Sequence, residues 1–441
     1  MFSIQYNVLP ISYNSQCTTL SEWVVLYTLG LAPLIAHVAS GANPPTCLTH
    51  TRPAWHDAIC HFNPTSIIWR YAAIADRRIR AKSWDANDLA ASNAFFWTAK
   101  GWDGGEEIVQ DAATHLSRSP GTKHVRIISE SMLKTIITLV QGVSALYTLI
   151  GTLLTATQVP GGFYVSVSLD ILFYPLAIFG LLRLCAAAWL TEDFVYTSWN
   201  QDGGVVARQI APERLVNDRD FQYKPHDTFE TFLVTSLPDF TIRFHPPISS
   251  WPSRIFRSCY LLILGGVLAI SLSYVTPITH KHLYNFTITG FLTTLFYALF
   301  LLSSLLILGF YFIRGQTTST LIPCISATWY KIYTLLVLGF IFVLVVIASI
   351  ETWKHPTGNY ITSPPTIDLS CKDRNYFWQF PLGSTVLATS NSKMRGALGA
   401  QNASSLVEAA VSGKNVSFEK DLTLTRLTGY CSGRFEDVVL R

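Results

Sequence analysis

The chain has 441 residues, of which 49% are hydrophobic and 14% charged, with a net charge of +4 and a mean hydropathy of +0.31. Soluble domains carry roughly 25% charged residues, and this composition excludes a disordered chain, a fibrous repeat and a generic basic nucleic-acid binder. An integral membrane protein is the class that remains.

Apolar runs near the ~20 residues that a bilayer core demands fall at 23–40, 135–156, 171–190, 258–277, 286–312 and 332–350. The expected fold class is an all-α integral membrane protein, a six-helix transmembrane bundle with a small mixed exoplasmic C-terminal domain. A soluble protein with six buried helices would need amphipathic stripes, yet Thr334–Ile350 is apolar on every face. Arg183 is the one Asp, Glu, Lys or Arg inside these windows.

The first unit, 1–40, is an exoplasmic N-terminus and a first span interrupted by Pro33 and carrying His37. A signal peptide would be preceded by Lys or Arg. Positions 1–22 contain neither, so a retained helix is expected.

A loop at 41–134 follows. Its Cys47, His50, His56 and Cys60 have the spacing of a short knuckle in which two thiolates and two imidazoles complete a zinc tetrahedron; the alternative is a simple Cys-rich linker. From Ile68 to Ile79 the apolar residues recur on one side of a helical wheel, with Arg70, Arg77 and Arg80 away from it. This predicts an amphipathic helix at about 65–82, either lying on anionic lipid or packing on neighbouring helices. Asp85 to Asp88 and Asp103 to Glu106 read as two helix starts, with Leu89, Phe95, Phe96 and Trp97 following the first. The carboxylates Asp103, Glu106, Glu107 and Asp111 also suit a divalent cation, although acidic residues are expected at helix N-termini anyway.

Spans two and three occupy 135–190. Intramembrane charges are functional-site candidates by default, which singles out Arg183; snorkelling, or pairing with Glu192 or Asp193, is the plainer account. For His37 the plainer account is a satisfied hydrogen bond. The loop 191–257 has little apolar periodicity and ends in an aromatic and basic anchor, Trp251 to Arg257. Spans four to six fill 258–350. Small residues at four-residue spacing, Gly265, Ala269 and Ser273, with Thr148, Thr152 and Ala156 in the second span, are expected to admit close helix packing and to allow a helix-mediated oligomer.

Lys and Arg number 11, 7 and 2 in 41–134, 191–257 and 313–331, against 0, 0 and 1 in 1–22, 157–170 and 278–285. The positive-inside rule makes the first set cytoplasmic and the tail, 351–441, exoplasmic. That tail holds the glycosylation sequons Asn402 and Asn415, while a third, Asn285, abuts a span. It also holds Cys371 and Cys431, which in an oxidising compartment would pair. Leu422 and Leu424, and less cleanly Leu427, alternate as in a strand.

No nucleophile elbow, zincin helix, phosphate-binding loop or dinucleotide fingerprint occurs. The stretches 62–78 (FNPTSIIWRYAAIADRR), 91–97 (ASNAFFW), 101–106 (GWDGGE) and 322–331 (IPCISATWYK) resemble segments of uncharacterised multipass membrane proteins of filamentous fungi. The resemblance covers most of 60–350 and implies no activity and no catalytic residue. The expectation is a non-enzymatic scaffold or receptor-like component of the secretory pathway or plasma membrane. It needs no cofactor and has the lipid bilayer as partner. A transporter or channel using Arg183 and His37 is the alternative, and a membrane-embedded enzyme the third reading.

Overall fold

A computed structural model describes residues 5–13, 18–156, 163–199, 205–207, 243–274, 283–354, 360–362, 377–381, 386–390, 422–426 and 430–434. In chain order the elements are β1 Gln5–Val8, α1 Leu20–Gly41, β2 Pro45–Cys47, α2 Trp55–Ala58, α3 Pro64–Arg80, α4 Ala86–Asn93, β3 Phe95–Thr98, β4 Gly101–Asp103, α5 Ile108–Ala113, β5 Leu116–Arg118 and α6 Glu130–Ala156. There follow β6 Phe163–Val165, α7 Tyr174–Gly180, β7 Val195–Trp199, β8 Val205–Ala207, α8 Trp251–Ser273, β9 Leu283–Phe286, α9 Ile288–Ile313 and α10 Thr328–Glu351. The described tail residues add β10 Trp353–Lys354, β11 Tyr360–Ile361, β12 Phe377–Pro381, β13 Val386–Ser390, β14 Leu422–Arg426 and β15 Tyr430–Arg434.

The protein is mostly helical, and α1, α6, α8, α9 and α10 are long and apolar enough to cross a membrane. Their outward faces carry large apolar side chains, among them Leu306, Leu336 and Phe342. Such exposure suits a hydrocarbon solvent and not water. The fold is not purely α, because short sheets close both ends of the bundle. The aromatic run expected to continue the helix after Asp85 forms a strand instead. The Asp85 and Asp88 capping box starts α4 as expected, but the helix ends at Asn93, and Phe95, Phe96 and Trp97 enter β3 between β2 and β4. Bulky aromatics suit a pleated, half-buried surface.

The third apolar window does not form one helix. It is built from a 3-10 turn at Leu169–Ile171, the seven-residue α7, and two further 3-10 pieces at Leu181–Cys185 and Ala187–Trp189. Pro175 sits in the first turn of α7, where its missing N–H costs nothing. This segment is packed against α6, α1 and α3, and most of its residues are buried. Irregular backbone at membrane depth is tolerated where protein rather than lipid surrounds it. The segment also connects the two ends of the bundle. Residues 163–165 pair with β9, which pairs with β1, at one end; at the other, Val125 N–H donates to the Ala188 carbonyl and β7 pairs with β5.

Within the chain, Gly265 and Ala269 of the fourth-span stripe do not mark a close approach. A Cβ on Gly265 would meet nothing within 4 Å, and Ala269 is exposed. Tight contacts occur instead at Gly30 against the Leu169 carbonyl, Gly41 against Ile67, and Gly142 against Leu181 and the Ala177 carbonyl.

At the centre lies α3. Asn63 caps its N-terminus by accepting from Thr65 N–H, and Pro64 begins its first turn. It runs antiparallel to α8: Tyr260 of α8 donates to the Ile68 carbonyl, while Ser253, two turns nearer the start of α8, donates to Asp76. Thr65 and Ser66 meet Ser304 and Tyr330 inside the bundle, and Asn63 donates to Thr334. The helix is therefore a plug inserted among α1, α8, α9 and α10, not a surface helix. Of the two settings expected for 65–82, Arg70, Arg77 and Arg80 have the packed one: they are buried at 3%, 0% and 0% exposure and bonded to protein.

Candidate functional site

The polar chemistry concentrates where α3 meets the ends of the membrane helices. An α-helix leaves its last four carbonyls without intrahelical partners, and the dipole makes that end attractive to a cation. Here buried arginines fill that role. Arg183 donates through Nη1 to the Ser40 carbonyl in the last turn of α1, through Nε to Thr135 Oγ1 at 2.8 Å, and through Nη2 to the carbonyl and hydroxyl of Ser131, each at 3.1 Å. Arg70 donates to the Gly41 carbonyl at 2.5 Å and to the Asn93 carbonyl, the end of α4, at 2.9 Å. Arg257 donates to the Phe312 carbonyl near the end of α9 at 2.7 Å and to the Pro247 carbonyl at 2.6 Å. The fork of the guanidinium lets one side chain tie two or three chain segments together.

Arg183 is thus only 1% exposed and neither snorkels nor pairs with acid. Glu192 is taken by Lys134 at 2.7 Å and Asp193 by Arg118 at 2.7 Å. The nearest ring is Tyr71, whose hydroxyl also hydrogen-bonds Ser40 Oγ at 3.1 Å.

A second cluster sits at the C-terminal end of α3. Arg80 is held between Asp76, at 3.0 Å, and Glu106, and also donates to the Thr317 and His245 carbonyls. Asp76 in turn accepts from Ser253 Oγ and Thr317 Oγ1, each at 2.5 Å. Arg77 donates to the Gly104 and Thr318 carbonyls and to Ser92 Oγ. Burial draws its guanidinium down to about 10, opposed by Glu106, so it stays charged at neutral pH. Glu106 therefore serves Arg80 rather than starting α5, and Asp103 Oδ1 accepts from Gly105 N–H in the turn after β4. Among the described residues no group of three or more His, Cys, Asp or Glu is placed to hold a metal ion.

That holds for the Cys and His residues as well. Cys47 is half-buried in β2 opposite Trp97, His50 is exposed, and His56 lies beside Asp57. Cys60 is buried, with its thiol donating to the His56 carbonyl. Adjacent His61 is the residue with a distinctive setting: it stacks on Phe95 at 4.4 Å and meets the edge of Trp102 at 4.2 Å. Burial, and then the Arg70 charge, pull its pKa down to about 3, keeping it neutral.

His37 is buried on the inner stripe of α1 with Leu26, Gly30 and Ser40, and neither ring nitrogen has a partner among the described residues. The satisfied hydrogen bond expected for it is absent there. At the opposite end of the bundle Glu351 accepts from Thr289 N–H and Oγ1, placing a carboxylate on the positive end of α9. Asn285 lies in β9 and accepts from Asn7 Nδ2 at 3.1 Å. Asn402, Asn415 and Cys371 lie outside the described residues, and with them the expected glycans and the Cys371 to Cys431 bridge; Cys60, Cys185, Cys259 and Cys324 are free thiols.

Most of this lattice was missed by sequence reasoning, which singled out Arg183 alone. The available signal was the scarcity of charge on α3: between Pro64 and Arg77 only Arg70, Asp76 and Arg77 are charged, too few for a solvated face. No family model, curated protein or solved structure matches the chain.

Proposed function

We propose that the protein is a multipass membrane scaffold or receptor-like component, crossing the bilayer six times with the arginine-rich end in the cytoplasm and both termini exoplasmic. The observation that carries this reading is the state of Arg183. Each of its three guanidinium nitrogens is bonded to Ser40, Ser131 or Thr135. An intramembrane charge locked this way is a strut between α1, α6 and the broken third span, not a station on a solute path.

Sidedness rests on charge. The end bearing the Arg70, Arg77, Arg80 and Arg257 cluster also carries Lys82, Lys123, Arg126 and Arg314, whereas Lys354 is the only Lys or Arg among the described residues of 352–362 at the other end, paired with Glu22. The broken segment 171–190 supplies the sixth crossing, since its flanks lie at opposite ends of the bundle.

Glycosidase digestion of a C-terminally tagged protein tests the topology: a mobility shift lost in the Asn402→Gln and Asn415→Gln double variant is expected. No shift, even with added tail sequons, overturns it. Planar bilayers containing the purified protein test the function. A unitary current abolished by Arg183→Met would replace the scaffold by a channel.

A further inference from the structure

A partly open cleft lies between α6, the broken third span, α8 and α9, in the half of the bundle away from the arginines. Its deep walls are apolar, with Leu146, Ile178 and Val267. Its shallow rim carries hydroxyls on Tyr274, Thr293 and Thr294. Two of these are spent: Tyr274 donates to the Leu149 carbonyl at 2.8 Å and Thr294 to the Gly290 carbonyl at 2.7 Å. Thr293 differs, because it is 5% exposed and its Oγ1 has no partner among the described residues. A helical threonine normally returns its hydroxyl to the carbonyl four residues back, so a buried one left free is an unmet hydrogen-bonding demand.

The depth of Thr293 limits what can meet it. With 26 residues, α9 is ~39 Å long against a ~30 Å hydrocarbon core, an overhang of ~4–5 Å at each end. Five residues in from Ile288, Thr293 lies only ~3 Å inside the core boundary. That is the level of lipid hydroxyl and ester groups. The residues lining the cleft are Leu, Val, Ile, Pro, Ser, Thr and Tyr, with no Lys or Arg among them to hold a phosphate.

We propose that this cleft binds one uncharged lipid of the sterol type, its rigid apolar body against Ile178 and Val267 and its single hydroxyl on Thr293 Oγ1. A sterol hydroxyl both donates and accepts, and so satisfies Thr293 in either sense. The proposal rests on the membrane reading above and is independent of the scaffold assignment.

Photolabelling of the purified full-length protein in phosphatidylcholine vesicles with a diazirine-bearing cholesterol tests it. Saturable labelling of α8 or α9 peptides, displaced by unlabelled cholesterol, is expected. Thr293→Val, nearly isosteric, should weaken cholesterol binding roughly fivefold yet leave binding of a 3-deoxy sterol unchanged. Val267→Trp should fill the cleft and remove the saturable component. Labelling that is non-saturable, that a diazirine phosphatidylcholine competes away equally well, or that is indifferent to Thr293→Val overturns the proposal. Alkaline carbonate extraction separates the two levels: release of the protein from membranes sinks the membrane reading, whereas retention without saturable labelling sinks the sterol site alone.

Discussion

Arg183 and Ser40 are separated by 143 positions in the chain, yet the guanidinium of the first caps the carbonyl of the second at the end of α1. The helix ends there because Asn43, Pro44 and Pro45 follow and cannot continue it. Its last carbonyls face protein rather than water, and Arg183 with Arg70 supplies the donors that solvent would otherwise provide.

Removing that donor set should destabilise the fold without touching any reaction. Arg183→Met strips the guanidinium donors from the Ser40 carbonyl and from Ser131 and Thr135, whose hydroxyls keep only their own donations to the Leu190 and Ser131 carbonyls, a loss on the order of 3 kcal/mol. Arg183→Lys should recover little, since an ammonium cannot span three directions. Thermal unfolding in detergent reads both variants, and a lysine variant that melts with the wild type would remove the fork-geometry argument.

The Asp76 and Arg80 pair should behave as one unit. Asp76→Asn leaves Arg80 facing Glu106 alone and weakens the bonds from Ser253 and Thr317, costing about 3 kcal/mol. In that background Arg80→Met should cost less than it does alone, with a coupling of ~1–3 kcal/mol. A double-mutant cycle by denaturant or heat measures it, and strict additivity contradicts the network.

Glycine substitutions should split by site and not by helix. Gly41→Ala places a Cβ 2.2 Å from Ile67 Cγ2, and Gly30→Ala places one 2.5 Å from the Leu169 carbonyl oxygen. Each should destabilise by roughly 1–3 kcal/mol. Gly265→Ala and Gly339→Ala meet nothing within 4 Å and should be neutral or mildly stabilising. Melting temperatures of the four variants, compared side by side, decide this.

Acid should weaken the protein through His61. Its folded pKa is held near 3 by burial and by Arg70, against ~6.5 when unfolded. Below pH 6.5 the unfolded chain takes up a proton that the folded chain refuses, so stability is full above that value and falls as pH drops toward 3. The slope is roughly 1.4 kcal/mol per pH unit, or about 2 kcal/mol by pH 5. His61→Phe keeps the stacking on Phe95 and Trp102 and should flatten that part of the profile. An unchanged difference between pH 7 and pH 5 in the variant would assign the acid sensitivity elsewhere.

Composition and hydropathy determined that this chain is a membrane protein and located the five long helices to within about seven residues at either end, and the Lys and Arg count separated basic loops from nearly uncharged ones. These are sums over short windows, and each residue contributes whatever its partners are. The Asp85 capping box and the strand at Leu422 were legible for the same reason. Only the tertiary structure decided that 171–190 is broken, because surrounding protein rather than its own composition permits irregular backbone at that depth. It alone buried α3, turning an apparent amphipathic face into a plug whose arginines meet the ends of α1 and α4 and the loop carbonyls at Gly104 and Thr318. A helix carbonyl left open by one segment is satisfied by a guanidinium far along the chain. Which end meets which side chain is a property of the packed bundle, and no local pattern encodes it.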